Sequence, residues 1–195
     1  MKGLDEQVES LIEEIRQTGD SEKFTQIIVK FQSPIYRYCF RLLGNQQDAE
    51  DLTQDVFIRA FQNLEQYRPA VSFSAWLYRI AYNQCSNKLK RKKIFDRIRS
   101  IMNWTTTTDS VEQYVENQLF SEPMARALSQ LSLVERNLII LRILEERSFE
   151  EIREILSYTS TEAVKKKYQR TKNKLKVWLQ EGEELENGAG ATFQG

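Results

Sequence analysis

The chain has 195 residues, of which 41% are hydrophobic and 29% charged, and its 28 Lys and Arg balance its 28 Asp and Glu. This composition is typical of a globular protein, and no run approaches the roughly 18 consecutive apolar residues of a membrane span, so we expect no membrane insertion. Histidine is absent and neither Cys39 nor Cys85 belongs to a CxxC pair, so we expect no metal site, no cofactor and no catalytic residues.

The predicted fold class is all-α, because Gly and Pro are scarce and long alternating apolar and polar runs are missing. The first 20 residues are acidic and amphipathic, unlike a secretory signal, which favours a cytoplasmic protein. Apolar residues then recur at helical spacing from Phe24 to Leu43, and Ser33-Pro34 predicts a kink or a new helix within them. Gly44 can end this helix and Asn45 can cap the next.

The next predicted helix, about residues 46–64, has two different sides. One side is apolar and is expected to pack into the core. The opposite side carries Asp51, Gln54, Asp55, Ile58 and Gln62. An acidic rim around an apolar centre is typical of a protein-docking surface, and the alternative is an ordinary solvated face. The carboxylates would repel phosphate, so this side is not predicted to bind nucleic acid.

A loop at residues 67–71 precedes a third predicted helix, which begins near Phe73 and ends in the basic run of residues 88–93. Ahead of that run the helix carries Trp76, Arg79, Tyr82 and Asn83. Aromatic and amide groups beside a basic cluster suit unstacked bases of single-stranded nucleic acid, although Trp76 falls on the apolar stripe and is expected in the core. The alternative is a solvated helix end, where the negative end of the helix dipole stabilises the cations.

The pattern predicts two small helical domains joined by a flexible linker. The first covers residues 1–93, and the linker covers residues 94–122, which include the poor helix sequence Thr105-Thr106-Thr107-Thr108. The second domain covers residues 123–180. The tail at residues 181–195 is predicted to be disordered.

The second domain contains a predicted helix-turn-helix. Ser148 can cap a helix at 149–156, with Glu151 at the capping-box position, and residues 157–160 form the turn. In the following helix Val164, Tyr168, Thr171, Leu175 and Trp178 form a buried seam. The other side carries Lys165, Lys166, Gln169, Arg170, Asn173 and Lys176. Amide and guanidinium groups read base edges in the major groove and lysines bind phosphates, whereas the alternative is a solvated basic helix.

Three segments together resemble a known family, the extracytoplasmic-function (ECF) group of bacterial RNA polymerase sigma factors. Residues 48–57 (DAEDLTQDVF) resemble the part of region 2 that docks on the clamp of core RNA polymerase. Residues 73–83 (FSAWLYRIAYN) are similar to the second signature of the group. Residues 131–176 resemble region 4, which reads the −35 promoter element.

The resemblance implies roles for individual residues. The set expected to bind core polymerase is Asp51, Gln54, Asp55 and Phe57, with Ile58 at its centre. The set expected to bind −10 DNA is Tyr67, Arg68 and Val71 of the base-capturing loop, with Arg79, Asn83, Lys88 and Arg91 on the following helix. The set expected to bind −35 DNA is Lys165, Lys166, Gln169, Arg170 and Asn173. Two departures from the family pattern stand out. Arg153 replaces a small residue of the helix-turn-helix, and the turn of this motif lacks the usual glycine.

The expected function is therefore that of a sigma factor, which binds core RNA polymerase and directs promoter-specific initiation of transcription. It is not expected to be an enzyme. The expected partners are core RNA polymerase, promoter DNA and a cognate anti-sigma factor. Two alternatives stay open, namely a stand-alone helix-turn-helix regulator of transcription and a helical protein-interaction scaffold.

Overall fold

Helices form nearly all of the described chain. The computed structural model describes residues 2–101 and 120–190, and no strand occurs within them, so the predicted all-α class is confirmed. The first segment holds α1 (Lys2–Thr18), α2 (Ser21–Leu43), α3 (Gln46–Gln62), a 3₁₀ turn (Leu64–Gln66) and α4 (Phe73–Ile101). The second holds α5 (Glu122–Gln130), α6 (Leu133–Ile139), a π-helical turn (Ile140–Leu144), α7 (Phe149–Leu156) and α8 (Thr161–Gly190). Neither segment contains a helix with the long apolar stretch that a bilayer crossing requires.

The predicted helix ends are set by local capping. Gly44 ends α2 in the left-handed conformation, with φ 72°, and its N–H donates to the Phe40 carbonyl at 2.8 Å. The Asn45 side chain then accepts from the Asp48 N–H at 2.8 Å and starts α3. Ser148 and Glu151 form the predicted capping box at the start of α7.

Three helices are longer or more continuous than the sequence predicted. α2 runs through Pro34 without restarting. α4 continues past the predicted linker start to Ile101, and α8 continues to Gly190 through much of the predicted disordered tail. Neither extension contains a proline, and extending an existing helix is easier than nucleating one. The remainder of the predicted linker and tail, residues 102–119 and 191–195, lies outside the described residues.

One apolar core runs through both segments. In the first segment its fully buried members include Ile12 of α1, Ile27 of α2 and Leu77 of α4. The same cluster continues into Leu138 of α6 and Ile152 of α7. A smaller cluster of Ala127, Leu128, Leu131, Ile139 and Leu175 packs α5 and α6 against α8. The two predicted domains therefore share a packed interface, in which α4 lies against α7.

Polar side chains cross this interface and are largely buried there. The Tyr38 hydroxyl donates to Oδ1 of Asn137 at 2.7 Å. Glu145 accepts from the Tyr78 hydroxyl at 2.9 Å and forms an ion pair with Arg41. Burial raises the pKa of Tyr78 to about 12, against the opposing effect of the nearby Arg147, so the Tyr78 hydroxyl keeps its proton at neutral pH. Because buried polar groups are costly unless they are paired, these contacts specify one relative placement of the two halves.

Candidate nucleic-acid and partner-docking surfaces

The predicted docking face of α3 is exposed. Asp51, Gln54 and Asp55 face solvent, and Ile58 at their centre keeps 54% of its surface exposed. Phe57, predicted to join this set, is only 5% exposed, because it falls on the side of α3 that packs into the core. The exposed part of the set is therefore an acidic rim around one apolar side chain.

Beside this acidic rim lies an apolar groove that the sequence analysis did not identify. It runs between α2 and α3 and is lined mainly by Phe24, Ile28, Phe57, Ile58 and Phe61. Phe61 is 40% exposed, and its ring centroid lies 5.0 Å from that of Phe24. Helical periodicity shows which residues of α3 are exposed, but it does not show what lies beside them. The groove has the apolar edge of α2 as its second wall.

The loop between the 3₁₀ turn and α4, residues 67–72, presents a polar tip on an aromatic base. Arg68, Pro69 and Ala70 are exposed, and Val71 is half-buried. Tyr67 is fully buried, with its ring 5.4 Å from both Phe73 and Trp76. Tyr67 was predicted to contact DNA directly, but in this conformation its ring is not accessible to a base. It supports the loop from beneath, because the aromatic residues at 67, 73 and 76 pack on one another.

The predicted DNA-binding residues of α4 differ in their surroundings. Asn83 and Arg91 are exposed. Lys88 pairs with Asp48 at 2.6 Å, but both side chains are 36% exposed, so this ion pair adds little stability and leaves the lysine available. Arg79 is engaged by the second segment, since its guanidinium donates to the Glu154 carbonyl of α7. Trp76 packs against Tyr67 and Phe73, in agreement with its predicted place in the core.

The predicted helix-turn-helix is formed by α7, the turn at residues 157–160 and α8. Val164, Thr171 and Leu175 are buried on the inner side of α8, with Tyr168 and Trp178 partly buried beside them. The predicted −35 set is exposed on the other side: Lys165, Lys166, Gln169, Arg170 and Asn173. Ser157 ends α7 in the left-handed conformation (φ 56°), which glycine adopts most readily, at a cost of about 1–2 kcal/mol. The turn therefore closes without glycine.

One carboxylate, that of Glu135, joins α8 to the rest of the second domain. Oε1 of Glu135 on α6 accepts from Nζ of Lys167 and from Nζ of Lys174, each at 2.9 Å. Burial alone would raise the pKa of Glu135, but the bonds from Lys174, Lys167 and Ser132 outweigh it and lower this pKa to about 2. The sequence alone does not predict this role, since the lysines and Glu135 are more than thirty positions apart. Glu135 thus joins α6 to α8 through two lysines that lie off the outer side of α8.

Comparison with known proteins identifies the family. Residues 27–94, which span most of α2, all of α3 and most of α4, match the family described as Sigma-70 region 2. The ECF RNA polymerase sigma factor SigW of Bacillus subtilis is 31% identical over 149 residues, which cover 71% of this chain and 80% of SigW. The RNA polymerase sigma factor YlaC of the same organism is 35% identical over 133 residues, covering 67% of this chain and 77% of YlaC. The chain belongs to the ECF sigma factors. It is thus a sigma factor that directs initiation of transcription, as its motifs predicted.

Solved structures agree with this sigma factor in fold. CnrH in complex with the cytosolic domain of CnrY aligns with a TM-score of 0.64 at 21% identity, over 87% of this chain and 95% of that chain. The sigma factor RpoE from Bartonella quintana, in complex with the anti-sigma factor NepR, aligns with a TM-score of 0.61 at 18% identity, over 82% of this chain and 98% of that chain. At these identities the likeness concerns the fold alone.

Proposed function

We propose that this sigma factor docks on core RNA polymerase through the outer side of α3. The observation that carries the proposal is the exposed rim of Asp51, Gln54 and Asp55 around Ile58, beside the apolar groove. An apolar centre loses water on contact, whereas rim carboxylates select a cationic partner and speed the encounter. Phe57 supports this face from beneath by lining the groove floor.

The promoter is held by two further surfaces. The tip of loop 67–72 and the outer side of α4, with Asn83, Lys88 and Arg91, would bind the unstacked strand of the −10 element. Unstacking a base costs a few kcal/mol, which cationic side chains and pocket contacts offset. On α8, Gln169 and Arg170 would reach base edges of the −35 element, and Lys165 and Lys166 would bind its phosphates.

The two promoter elements cannot be bound at the same time in the described arrangement. α8 packs on α7, and α7 packs on α4, so at about 8–10 Å between packed axes the two DNA-binding helices lie about 20 Å apart. Elements that are about 25 base pairs apart, as their names imply, span about 85 Å of B-DNA at 3.4 Å per base pair. The two halves must therefore separate on the promoter, and separation also releases Arg79 from the Glu154 carbonyl.

The closed arrangement also bears on regulation. Both aligned structures are complexes, and NepR is described as an anti-sigma factor. We extend this to the present chain and propose that a cognate anti-sigma factor binds it and keeps the two halves closed. The groove beside α3 and the junction of α4 with α7 are the surfaces such a partner would cover.

The remaining expectations follow from the work of a sigma factor. RNA synthesis is carried out by the polymerase, so this chain needs no catalytic residues and no cofactor of its own. Because it acts on the polymerase at the chromosome, its proposed location is the cytoplasm. A stand-alone regulator would instead bind duplex DNA tightly and specifically without polymerase, and a scaffold would not bind promoters at all.

The docking proposal is tested by neutralising the rim. The double variant Asp51→Asn with Asp55→Asn removes two charges and keeps the side-chain shapes, so affinity for core polymerase should fall about tenfold, mainly through slower association. The measurement is surface-immobilised binding of purified core enzyme. The matched control, Glu13→Gln with Glu65→Gln, loses the same charge at exposed positions outside α3 and should bind as the parent protein does. Equal affinity of the rim variant and its control would refute the docking assignment.

A further inference from the structure

The first helix reaches the loop that is proposed to bind the −10 element. Nη2 of Arg16, in the last turn of α1, donates to the Leu64 carbonyl at 2.8 Å and to the Tyr67 carbonyl at 2.5 Å. Its guanidinium carbon also lies 5.8 Å from the centre of the Tyr67 ring. Only 17% of the Arg16 side chain is exposed. One rigid cation from α1 thus joins the 3₁₀ turn to the first residue of loop 67–72.

A second side chain of α1, Glu9, contacts the same loop through the Tyr67 hydroxyl. The Tyr67 hydroxyl lies 2.9 Å from the Val71 carbonyl and also contacts the Glu9 carboxylate, so its single proton is shared between two acceptors. Tyr67 and Val71 are the two ends of the loop segment that carries the exposed tip. The separation of those ends is therefore fixed by a hydroxyl that Glu9 orients and by a backbone that Arg16 holds.

These contacts have the character of a positioning device. Hydrogen bonds from a guanidinium to two carbonyls are charge-assisted and directional, and a guanidinium loses little freedom in forming them. A base-binding loop discriminates best when its shape is set before the base arrives, because little ordering is then left to oppose binding. Among the described side chains of α1, Val8, Ile12 and Ile15 are buried apolar core residues, whereas Arg16 and Glu9 make the polar contacts with the 3₁₀ turn and the loop.

We propose that Arg16 and Glu9 are positioning residues for promoter recognition, which hold loop 67–72 in the shape that selects the −10 base. The inference rests on the proposed function of that loop and adds to it a role for α1. Neither residue contacts DNA. Their effect passes through Tyr67, whose buried ring and hydroxyl transmit the position of α1 to the loop tip.

The test separates positioning of the loop from attachment of α1 in general. Holoenzyme is assembled from core polymerase and the sigma factor, and open complexes are measured by permanganate reactivity on a promoter and on variants with each −10 base replaced. Arg16→Ala should reduce discrimination between the preferred and the replaced bases by about fivefold or more, because the hydrogen bonds that join the Leu64 and Tyr67 carbonyls are lost. Arg16→Lys keeps the positive charge but loses the planar guanidinium group, and it should recover part of the discrimination that Arg16→Ala loses.

The matched control is Lys23→Ala. It breaks the ion pair of 2.8 Å between α2 and Glu14 of α1, which is a polar contact of α1 that does not touch the loop. It should leave −10 discrimination at the parental value, while preference at the −35 element should be unchanged in all variants. Should Arg16→Ala fail to fold, Tyr67→Phe with Glu9→Gln keeps the ring packing and removes the hydroxyl contacts, and the same loss is expected.

The outcomes are distinct. Reduced −10 discrimination in the Arg16 and Tyr67 variants, with parental −35 preference and parental Lys23→Ala, supports the inference. Parental discrimination in a folded Arg16→Ala or Tyr67→Phe variant, or an equal loss in Lys23→Ala, overturns it. If the parent protein itself shows no preference at any −10 base, the proposed function of the loop fails rather than the role of α1.

Discussion

At the scale of single residues, Glu135 shows how a buried charge is held by its partners. Its carboxylate is 7% exposed, and the two lysines that pair with it are 38% and 50% exposed. Burial by itself raises the pKa of this carboxyl group, and the hydrogen bonds from its partners reverse that shift and keep it ionised. The same pairing joins α6 to α8, so it stabilises the helix that carries the outer basic side.

Glu135 makes the stability of the second segment sensitive to acid. Its folded-state pKa of about 2 lies below its ordinary value of 4.5, so its contribution is complete above pH 4.5 and is lost as the pH falls toward 2. Allowing for the exposure of the lysines, we expect Glu135→Gln to cost on the order of 2 kcal/mol at pH 7. Urea unfolding at several pH values measures this difference. The difference in free energy of unfolding between the parent protein and Glu135→Gln should shrink below pH 4.5. The exposed control Glu150→Gln should cost little at any pH. A difference that does not depend on pH would contradict the stabilising role of ionised Glu135.

The outer side of α8 should divide into residues that read bases and residues that bind phosphates. Gln169→Ala should lose about 1–3 kcal/mol on the preferred −35 sequence but little on other sequences. Lys166→Ala should weaken binding to all sequences and lower the salt dependence by about one counterion. Titration of holoenzyme with labelled −35 duplexes at several salt concentrations distinguishes the two. Identical sequence profiles for both variants would contradict the assignment.

At the scale of helices and loops, the chain shows which features follow from local sequence. α7 has the predicted bounds, and the Gly44–Asn45 junction forms as predicted, because a cap depends on residues a few positions apart. The inner seam and outer basic side of α8 follow from helical periodicity alone. Features that join distant segments were not predictable in this way: the burial of Tyr67, the groove between α2 and α3, and the contact of Arg16 with the loop. Each needs the tertiary arrangement to place its second partner.

Loop 67–72 should govern −10 preference independently of α8. Replacing its exposed tip, Arg68-Pro69-Ala70, with Gly-Ser-Gly leaves the buried Tyr67 in place and removes the side chains that can meet a base. We expect a change of base preference confined to the −10 element, measured by selection of active promoters from a randomised pool. The matching change of Gln169→Ala and Arg170→Ala on α8 should be confined to the −35 element. A change at −35 on altering the loop would show that the elements are assigned wrongly.

At the scale of the whole molecule, the two halves are packed together, and the proposed function requires them to separate. Asn137, Glu145 and the Glu154 carbonyl are contacted by Tyr38, Tyr78, Arg41 and Arg79 of the first segment. The interface combines these polar contacts, which water can replace, with the shared apolar core, whose exposure to water opposes separation of the halves. A sigma factor with such an interface can remain closed until polymerase binding or promoter binding offsets the loss of these contacts.

Opening can be measured directly. Labels at Lys92→Cys and Lys172→Cys, both exposed positions, report the distance between α4 and α8, and the native Cys39 and Cys85 are buried and so protected from labelling. Adding core polymerase should lengthen this distance by several tens of ångströms. Glu145→Ala removes the acceptor of both Arg41 and Tyr78, at a cost of about 1–3 kcal/mol, so it should increase the open fraction without polymerase. An unchanged distance on binding polymerase would contradict the proposed opening.

Run-off transcription with purified core polymerase and fragmented genomic DNA shows whether the acidic side of α3 recruits the polymerase while loop 67–72, α4 and α8 hold the promoter. We expect transcripts from a limited set of start sites that share upstream −10 and −35 sequences. These transcripts should be lost with the Asp51→Asn and Asp55→Asn double variant. Failure of the folded parent protein to start transcription at any site would contradict these roles.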